Sequence, residues 1–283
     1  MWERFMIDSP RGIYEVFTTG QGKPVCVTHL YSAFNENGNL FASKFTKHHQ
    51  VFLVNLTGCG NSRAACSDDE YSMEDSVKDL EAVRESLGIE QWIFAGHSTG
   101  GMLGLKYAIM YPGRLEKIIV GGLCPSAEYM NHKDSIYCRA NPNNKRILEI
   151  LALLGNPETT IEKRREVNKE WSLMSLYNEQ AYEEMVSRPN SGKTVSPRLD
   201  YYSYKELPSY DLREQLKTVG VQAFVYAGKY DAQCPYEYGV ETAELMPNAQ
   251  FQPFLRSNHF PFIEEEEAFE EFVERALYEE IKS

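Results

Sequence analysis

The 283-residue chain is long enough to bury a substantial core, either as one large domain or as a core with an insertion. Its composition, 42% hydrophobic and 25% charged, is typical of a soluble globular protein. The formal net charge of −12 repels phosphate groups, which excludes nucleic acids and anionic membrane surfaces as expected partners.

The start of the chain has no pattern of an export signal. Glu3, Arg4 and Asp8 stand where a secretion signal needs an apolar run. The apolar helical stretch after residue 98 is broken by Lys106 and does not reach membrane-spanning length without a charge. The six cysteines lack the spacing of metal ligands, so we expect reduced thiols. These features predict a cytoplasmic protein.

Predicted strands and helices alternate over the first 122 residues. The chain opens with a hairpin-like pair, WERFMI and GIYEVFTT, in which apolar positions alternate on both sides of a Ser-Pro-Arg-Gly turn. The later strands are short runs of the kind buried on both faces, and the clearest helix follows the 3.6-residue period. In chain order these elements are strands over 24–29 and 50–56, a helix over 72–88, a strand over 92–96, a helix over 99–111 and a strand over 115–122.

Residues 125–204 break this alternation, because they contain helical stretches but no convincing buried strand. The pattern then resumes with strands over 221–228 and 249–255, a helix near 235–246 and a helix from residue 264. Alternation predicts an α/β protein with an eight-stranded, mostly parallel sheet and helices on both faces. We assign the core to 1–124 and 205–283. Residues 125–204 are the predicted helical cap over the carboxyl edge of the sheet, where such sheets bind ligands.

The turn after the strand over 92–96 reads Gly96-His97-Ser98-Thr99-Gly100 and matches the pattern G-x-S-x-G. The match is more specific in this setting, because a predicted strand precedes it and a predicted helix follows it. A serine on so sharp a turn has a strained backbone, and the residues two positions before and after it must be small. Free N–H groups at the start of the helix can stabilise a developing anion. The pattern therefore predicts that Ser98 is a nucleophile.

A serine nucleophile needs a base and a carboxylate that orients the base. His259 follows the last predicted strand and Asp231 follows the strand before it, so both fall at the same sheet edge as Ser98. The chain order Ser, Asp, His is the one expected for this arrangement. Asp200 and Asp211 are alternative carboxylates, but neither directly follows a predicted strand.

These features resemble the α/β-hydrolase fold superfamily over nearly the whole chain, with the cap as the divergent part. VNLTGCGNS is similar to the D-x-R-G-x-G-x-S segment of the family, with Asn55 and Thr57 at the charged positions. SNHFPFIEEEEAF resembles the GHFPFLEEPEAF ending of proline-iminopeptidase-like and esterase-like members. The resemblance implies that Ser98 is the nucleophile, His259 the general base and acid, and Asp231 the orienting carboxylate. It excludes haloalkane dehalogenases and epoxide hydrolases, which have an aspartate in place of the serine.

The resemblance also implies an oxyanion hole built from two backbone N–H groups, one of them that of Thr99. The other comes from the loop after the strand over 24–29, where family members usually have His-Gly-x and proline iminopeptidases have His-Gly-Gly-Pro-Gly. This chain has His29-Leu30-Tyr31-Ser32 instead. With His29 as the equivalent histidine, Tyr31 supplies the second N–H, and a shift of one residue gives Leu30. The missing glycines weigh against the peptidase subgroup.

Several residues near these motifs have expected roles outside the chemistry. His97 lies within the turn and is expected to point away from the reacting groups, in a packing role. The run Glu264–Glu267 is expected to be a solvated helix start favoured by the helix dipole. The cap aromatics Trp171, Tyr177 and Tyr182 either line the pocket or pack the helices.

The leading hypothesis is a serine hydrolase, independent of cofactor and metal, that cleaves a small ester, lactone or amide through an acyl-enzyme. An alternative is a proline-iminopeptidase-like aminopeptidase with a short peptide-like substrate, whose α-amino group would be held by acidic cap residues. A different class is a ligand-binding receptor on the same fold, with little turnover. The cap glutamates available to hold an amino group are Glu158, Glu162, Glu166, Glu170, Glu179, Glu183 and Glu184.

Overall fold

The described residues, which are 1–156 and 158–278 of this computed structural model, form ten strands. They are β1 (Glu3–Ser9), β2 (Gly12–Thr19), β3 (Lys23–Val27), β4 (Ser32–Ala33), β5 (His49–Val54), β6 (Trp92–His97), β7 (Leu115–Gly121), β8 (Lys193–Thr194), β9 (Gln222–Gly228) and β10 (Ala249–Phe254). Eight of them form one sheet in the order β1-β2-β5-β3-β6-β7-β9-β10. The pairs β1–β2 and β2–β5 are antiparallel, and the other neighbours are parallel. The predicted eight-stranded, mostly parallel sheet is confirmed.

The same residues form eleven α-helices, and outside the predicted cap, helices alternate with the strands from β5 to β10, as predicted. The helices are α1 (Leu40–Ser43), α2 (Met73–Ser86), α3 (Thr99–Met110), α4 (Asn144–Gly155), α5 (Ile161–Met174), α6 (Gln180–Ser187), α7 (Ser196–Tyr201), α8 (Arg213–Leu216), α9 (Tyr236–Leu245), α10 (Pro261–Glu264) and α11 (Glu266–Tyr278). Ser72 caps α2, because its side chain accepts the N–H of Asp75 at 3.1 Å. No described helix has both the length and the apolar character needed to cross a membrane. All six cysteines are free thiols.

Helices cover both faces of the sheet, because successive side chains of its central strands point to opposite faces and both sets are apolar. In β6, Phe94 belongs to the hydrophobic cluster on the side of α2 and α3, whereas Ile93 and Ala95 belong to the cluster on the side of α11. All three residues are fully buried. The carboxyl end of β6, which leads into the serine turn, is therefore held within a layer packed on both sides.

The chain between β7 and β9 contains α4, α5 and α6, in the region predicted to be the cap. Its own hydrophobic cluster consists of Ile136, Ile147, Ile150 and Val167. The short strand β8 pairs antiparallel with β4, which places Thr194 opposite Ser32. A π-helical turn over Tyr202–Glu206 runs across residue 204. The limits of 125 and 204 for the cap remain a prediction.

An ion-pair cluster links the predicted cap to the predicted core, and its contribution to stability should depend on pH. Arg188, just after α6, donates to the two carboxylate oxygens of Glu266 at 2.6 and 2.8 Å, and Lys44 also pairs with Glu266. The hydrogen bonds from Arg188, followed by Lys44, lower the pKa of Glu266 from 4.5 to about 2. A carboxyl with a lowered folded-state pKa stabilises the fold above its unfolded pKa, and this stabilisation is lost as the pH falls through the folded pKa.

We therefore expect Glu266→Gln to lower the free energy of unfolding by about 1 kcal/mol above pH 5, because the partly exposed cluster is screened by solvent. The difference from the unmodified protein should shrink between pH 5 and pH 2, as measured by denaturant unfolding across that range. Glu267→Gln is the matched control, since Glu267 forms no ion pair with the described residues. A difference that stays constant down to pH 2 would contradict the ion-pair explanation.

Candidate active site

Ser98 lies at the sharp turn between β6 and α3, with φ 58° and ψ −129°. Within the described residues it is the one non-glycine residue with a positive φ. Such a backbone costs about 1–3 kcal/mol and persists only where the surrounding structure enforces it. A Cβ on Gly96 would lie 2.3 Å from the carbonyl oxygen of Gly100, and a Cβ on Gly100 would lie 2.4 Å from that of Thr28. Close backbone packing therefore requires both glycines of the motif.

His259 and Asp231 are buried and hydrogen-bonded to each other. The Nδ1 atom of His259 lies 2.9 and 3.0 Å from the two carboxylate oxygens of Asp231. The carboxylate is itself held by the backbone N–H groups of Gln233 and Cys234, which donate to Oδ1 at 2.9 and 2.8 Å. Because Nδ1 faces a carboxylate, it carries the proton and leaves Nε2 free to accept one.

Ser98 and His259 line one cavity of about 280 Å³. In the described part of the chain the Ser98 hydroxyl has no hydrogen-bond partner, so it is available to a ligand in this cavity. The geometry therefore brings Ser98, His259 and Asp231 to one site, just beyond the ends of β6, β10 and β9. Their catalytic roles remain a prediction.

Two glutamates at the end of α10 hold the loop that carries His259. Glu264 accepts the N–H of Asn258 at 2.7 Å and, from the cap, the N–H of Asn178 at 3.1 Å. Glu265 accepts hydrogen bonds from the two residues before Asn258, at 2.7 and 2.8 Å. Burial raises the pKa of Glu264 above its ordinary value. The expectation of a solvated helix start is therefore wrong for these two residues, which face the loop because the chain doubles back before α11.

His97 faces the cavity, and the expectation that it points away is wrong. Its ring centroid lies 4.5 Å from that of His259, and its Nδ1 is 2.9 Å from the hydroxyl of Tyr226. Gly122 leaves the space for this ring, since a Cβ there would lie 2.5 Å from His97. Burial, with the nearby His259 and His29, holds the pKa of His97 well below its ordinary value. His97 is thus a neutral ring packed against the candidate base.

The loop after β3 is tied to the serine turn by His29. The backbone N–H of Tyr31 donates to Nδ1 of His29 at a long 3.4 Å, so Nδ1 is an acceptor. The ring proton is therefore on Nε2, which lies 3.1 Å from Oγ1 of Thr99. Burial is the main cause that lowers the pKa of His29 to about 3, which keeps the ring neutral. Tyr31 lines the cavity, whereas Leu30 is fully buried in the core. The roles of Thr99, Tyr31 and Leu30 as N–H donors remain a prediction.

Neither alternative carboxylate bonds to His259, whose Nδ1 is held by Asp231. Asp200 is exposed, and Asp211 pairs with Arg213 at 2.6 Å. The described side chains that line the cavity include none of the glutamates of the predicted cap. Glu170, for example, pairs with Arg146 at 2.6 Å. The cap glutamates are therefore not placed to hold a substrate amino group in this cavity.

The three cap aromatics have different environments. Trp171 lines the cavity, and its indole Nε1 is buried without a hydrogen-bond partner among the described residues. Tyr177 is half exposed and stacks on Tyr230 with ring centroids 4.7 Å apart, whereas Tyr182 packs against the hydrophobic cluster next to α11. Only Trp171 of the three therefore contributes to the cavity wall.

Some cavity residues carry no signal in the sequence. Gln233, Asn190 and Phe41 line the cavity from segments that no motif marks. Asn190 and Gln233 lie in loops and Phe41 lies in the short helix α1, and the positions of all three depend on long-range packing. Local patterns predict which element a residue belongs to, but not which of these side chains face a shared space.

The fold agrees with comparisons to known proteins. The family model described as alpha/beta hydrolase fold matches residues 29–266. The chain therefore belongs to the α/β-hydrolase fold family.

Individual relatives include hydrolases of more than one kind. A solved structure of an alpha/beta fold family hydrolase from Bacillus anthracis str. Sterne is 51% identical, covers 98% of this chain and 99% of that chain, and has a TM-score of 0.96. A proline iminopeptidase from Lactobacillus delbrueckii subsp. bulgaricus is 25% identical over 79% of this chain and 78% of its own length. An esterase from Exiguobacterium antarcticum, 21% identical with a TM-score of 0.70 over 97% of this chain and 100% of that chain, shares the fold.

Proposed function

We propose that this protein is a serine hydrolase that cleaves a small, uncharged carboxylic ester. The observation that carries the proposal is one cavity in which an unbonded serine hydroxyl, on a strained turn, shares the wall with a histidine held by a buried carboxylate. Acyl transfer requires a nucleophile and a base that accepts its proton, and the serine hydroxyl and the histidine ring are groups of these two kinds.

In the proposed reaction, Ser98 Oγ attacks the ester carbonyl while His259 Nε2 takes the hydroxyl proton. Asp231 keeps the imidazole oriented and stabilises its positive charge. The negative charge on the carbonyl oxygen is held by the N–H groups of Thr99 and Tyr31, or of Leu30 after a shift of one residue. His259 then protonates the leaving alcohol, and an acyl-enzyme remains. A water molecule activated by His259 releases the acid and restores the serine.

The cavity wall supports an uncharged substrate. No Asp, Glu, Lys or Arg side chain is among the described residues that line it. Its polar groups are amides and hydroxyls, such as those of Asn168 and Ser172, and the rings of three histidines. Amide and hydroxyl groups can donate hydrogen bonds to neutral oxygen atoms. These donors suit an uncharged ester with an additional neutral acceptor, such as an ether or carbonyl oxygen.

An aminopeptidase remains the second candidate, because proline iminopeptidases are among the relatives, at 25% identity. Such a substrate would bring an ammonium group into a cavity without a carboxylate on its described wall. Burying an unpaired charge costs about 3–5 kcal/mol, which is roughly a 100-fold or larger loss in kcat/KM. The cavity wall therefore favours the ester over the amine-bearing peptide.

The test compares p-nitrophenyl butyrate, p-nitrophenyl 3-methoxypropionate and proline p-nitroanilide, with Ser98→Ala as the blank and fluorophosphonate labelling of the serine. We expect labelling of Ser98, hydrolysis of both esters, and a kcat/KM for the anilide that is lower by about 100-fold or more. Comparable or faster cleavage of the anilide would favour the aminopeptidase. Labelling without turnover of any substrate would favour a receptor, and equal labelling of Ser98→Ala would overturn the nucleophile.

A further inference from the structure

Arg198 is a buried guanidinium with no carboxylate partner among the described residues. It lies in α7, in the segment predicted to belong to the cap, and its relative exposure is 0%. The guanidinium donates to three oxygens: the carbonyl oxygen of Leu30, that of Thr57 at 2.8 Å, and the hydroxyl of Ser76 at 2.5 Å. Burial of an unpaired charge is costly unless hydrogen bonds offset it. This arrangement indicates a role beyond filling the core.

The carbonyl that Arg198 holds belongs to the peptide group whose N–H is the predicted oxyanion donor. In a trans peptide the C=O of Leu30 and the N–H of Tyr31 are fixed in one plane and point in opposite directions. A bond that holds the Leu30 oxygen therefore also fixes the direction of the Tyr31 N–H. Among the described residues this N–H has only the long contact with His29, so a developing oxyanion can compete for it.

The same segment holds the next peptide as well. The N–H of Val195 donates to the carbonyl oxygen of Tyr31 at 2.8 Å. Directly beyond it, Thr194 of β8 pairs with Ser32 of β4. Residues 193–198 therefore bond both carbonyls that flank the Tyr31 N–H and fix its orientation from the cap side.

We propose that Arg198 is a positioning residue that fixes the Leu30–Tyr31 peptide as part of the oxyanion hole, which makes residues 193–198 part of the catalytic apparatus. The loop His29-Leu30-Tyr31-Ser32 contains no glycine, and external hydrogen bonds set the backbone direction there. The inference rests on the proposed function, because it requires that a substrate oxyanion forms at this loop.

The test is Arg198→Lys, in which a single ammonium cannot hold three oxygens in the geometry of the guanidinium. We expect kcat for the p-nitrophenyl esters to fall by about 10- to 100-fold while KM changes less than about 3-fold, because an oxyanion donor acts on the transition state. The inhibition constant of a trifluoromethyl ketone with the same acyl chain should rise by about the same factor.

Ser76→Ala is the matched control, because it removes another partner of the same guanidinium and leaves the Leu30 oxygen untouched. It should keep kcat within about 2-fold even where its Tm falls as far as that of Arg198→Lys. If Arg198→Lys does not fold, Val195→Pro removes the N–H that holds the Tyr31 carbonyl and should lower kcat in the same way.

The outcomes separate this inference from the proposed function. Turnover by the unmodified protein that Ser98→Ala abolishes supports the proposed function. If that turnover is observed, an unchanged kcat and an unchanged inhibition constant in Arg198→Lys overturn the role of Arg198 and leave the proposed function standing. An equal loss of kcat in Ser76→Ala would also overturn it, because the effect would then follow stability rather than the Leu30–Tyr31 peptide.

Discussion

Replacing Ser98 or His259 with alanine is expected to lower kcat for p-nitrophenyl esters by roughly 10⁴- to 10⁶-fold. Ser98 supplies the attacking oxygen, and without His259 its proton has no acceptor. Because the two residues act as one unit, the Ser98→Ala/His259→Ala double variant should be no slower than either single variant. Steady-state kinetics on all three proteins tests this, with circular dichroism to show that each is folded.

The matched control for this experiment is His97→Asn. His97 lies against His259 but bonds to Tyr226 rather than to Asp231, so its replacement should cost less than about 10-fold in kcat. If His97→Asn were as slow as His259→Ala, the assignment of the base would be wrong. Losses in the Ser98 and His259 variants that multiply in the double variant would show that the residues act independently.

Gly96→Ala is expected to destabilise the protein by about 3 kcal/mol, or roughly 10 °C in Tm. The new Cβ would lie 2.3 Å from the carbonyl oxygen of Gly100, a distance that real Cβ atoms do not adopt. Both positions belong to the rigid backbone of the turn, so the turn must open to relieve the contact. The opening would move Ser98 relative to His259, and we expect kcat to fall by about 100-fold as well.

Gly113→Ala provides the comparison, since a Cβ there meets nothing within 4 Å and its backbone φ is not positive. It should change Tm by less than about 2 °C and leave kcat unaltered. Thermal unfolding and ester hydrolysis of the two variants, measured side by side, test whether the serine turn requires Gly96. A Gly96→Ala protein as stable and active as Gly113→Ala would mean that the turn does not need its glycines.

The local pattern of the sequence was sufficient for the sheet and for the serine turn. Residues such as Ile93, Phe94 and Ala95 form an apolar run because both faces of β6 are buried, and that run marks a central parallel strand. The order of strand, Gly-x-Ser-x-Gly and helix predicted the turn, which the positive φ of Ser98 bears out. Asp231 and His259 could be placed at one edge because parallel strands share their carboxyl ends.

The local sequence gave wrong expectations for residues whose environment is set by distant parts of the chain. His97 faces the cavity because Gly122, after the neighbouring strand β7, leaves space for its ring. Glu264 is held by N–H groups of the predicted cap and of the His259 loop, although its neighbourhood in the sequence is a run of glutamates. Charge and periodicity describe a single element and contain no information about what packs against it.

By itself, the sequence determined the fold and the positions of Ser98, Asp231 and His259, because these depend on local periodicity and on the ends of strands. Only the tertiary structure decided that the described wall of the cavity has no charged carboxylate or cationic side chain, and that Arg198 reaches the Leu30 carbonyl across 168 positions of the chain. Such contacts form when separate segments fold together. Their partners are selected by packing and by the need to satisfy every buried polar group, which no single segment reveals.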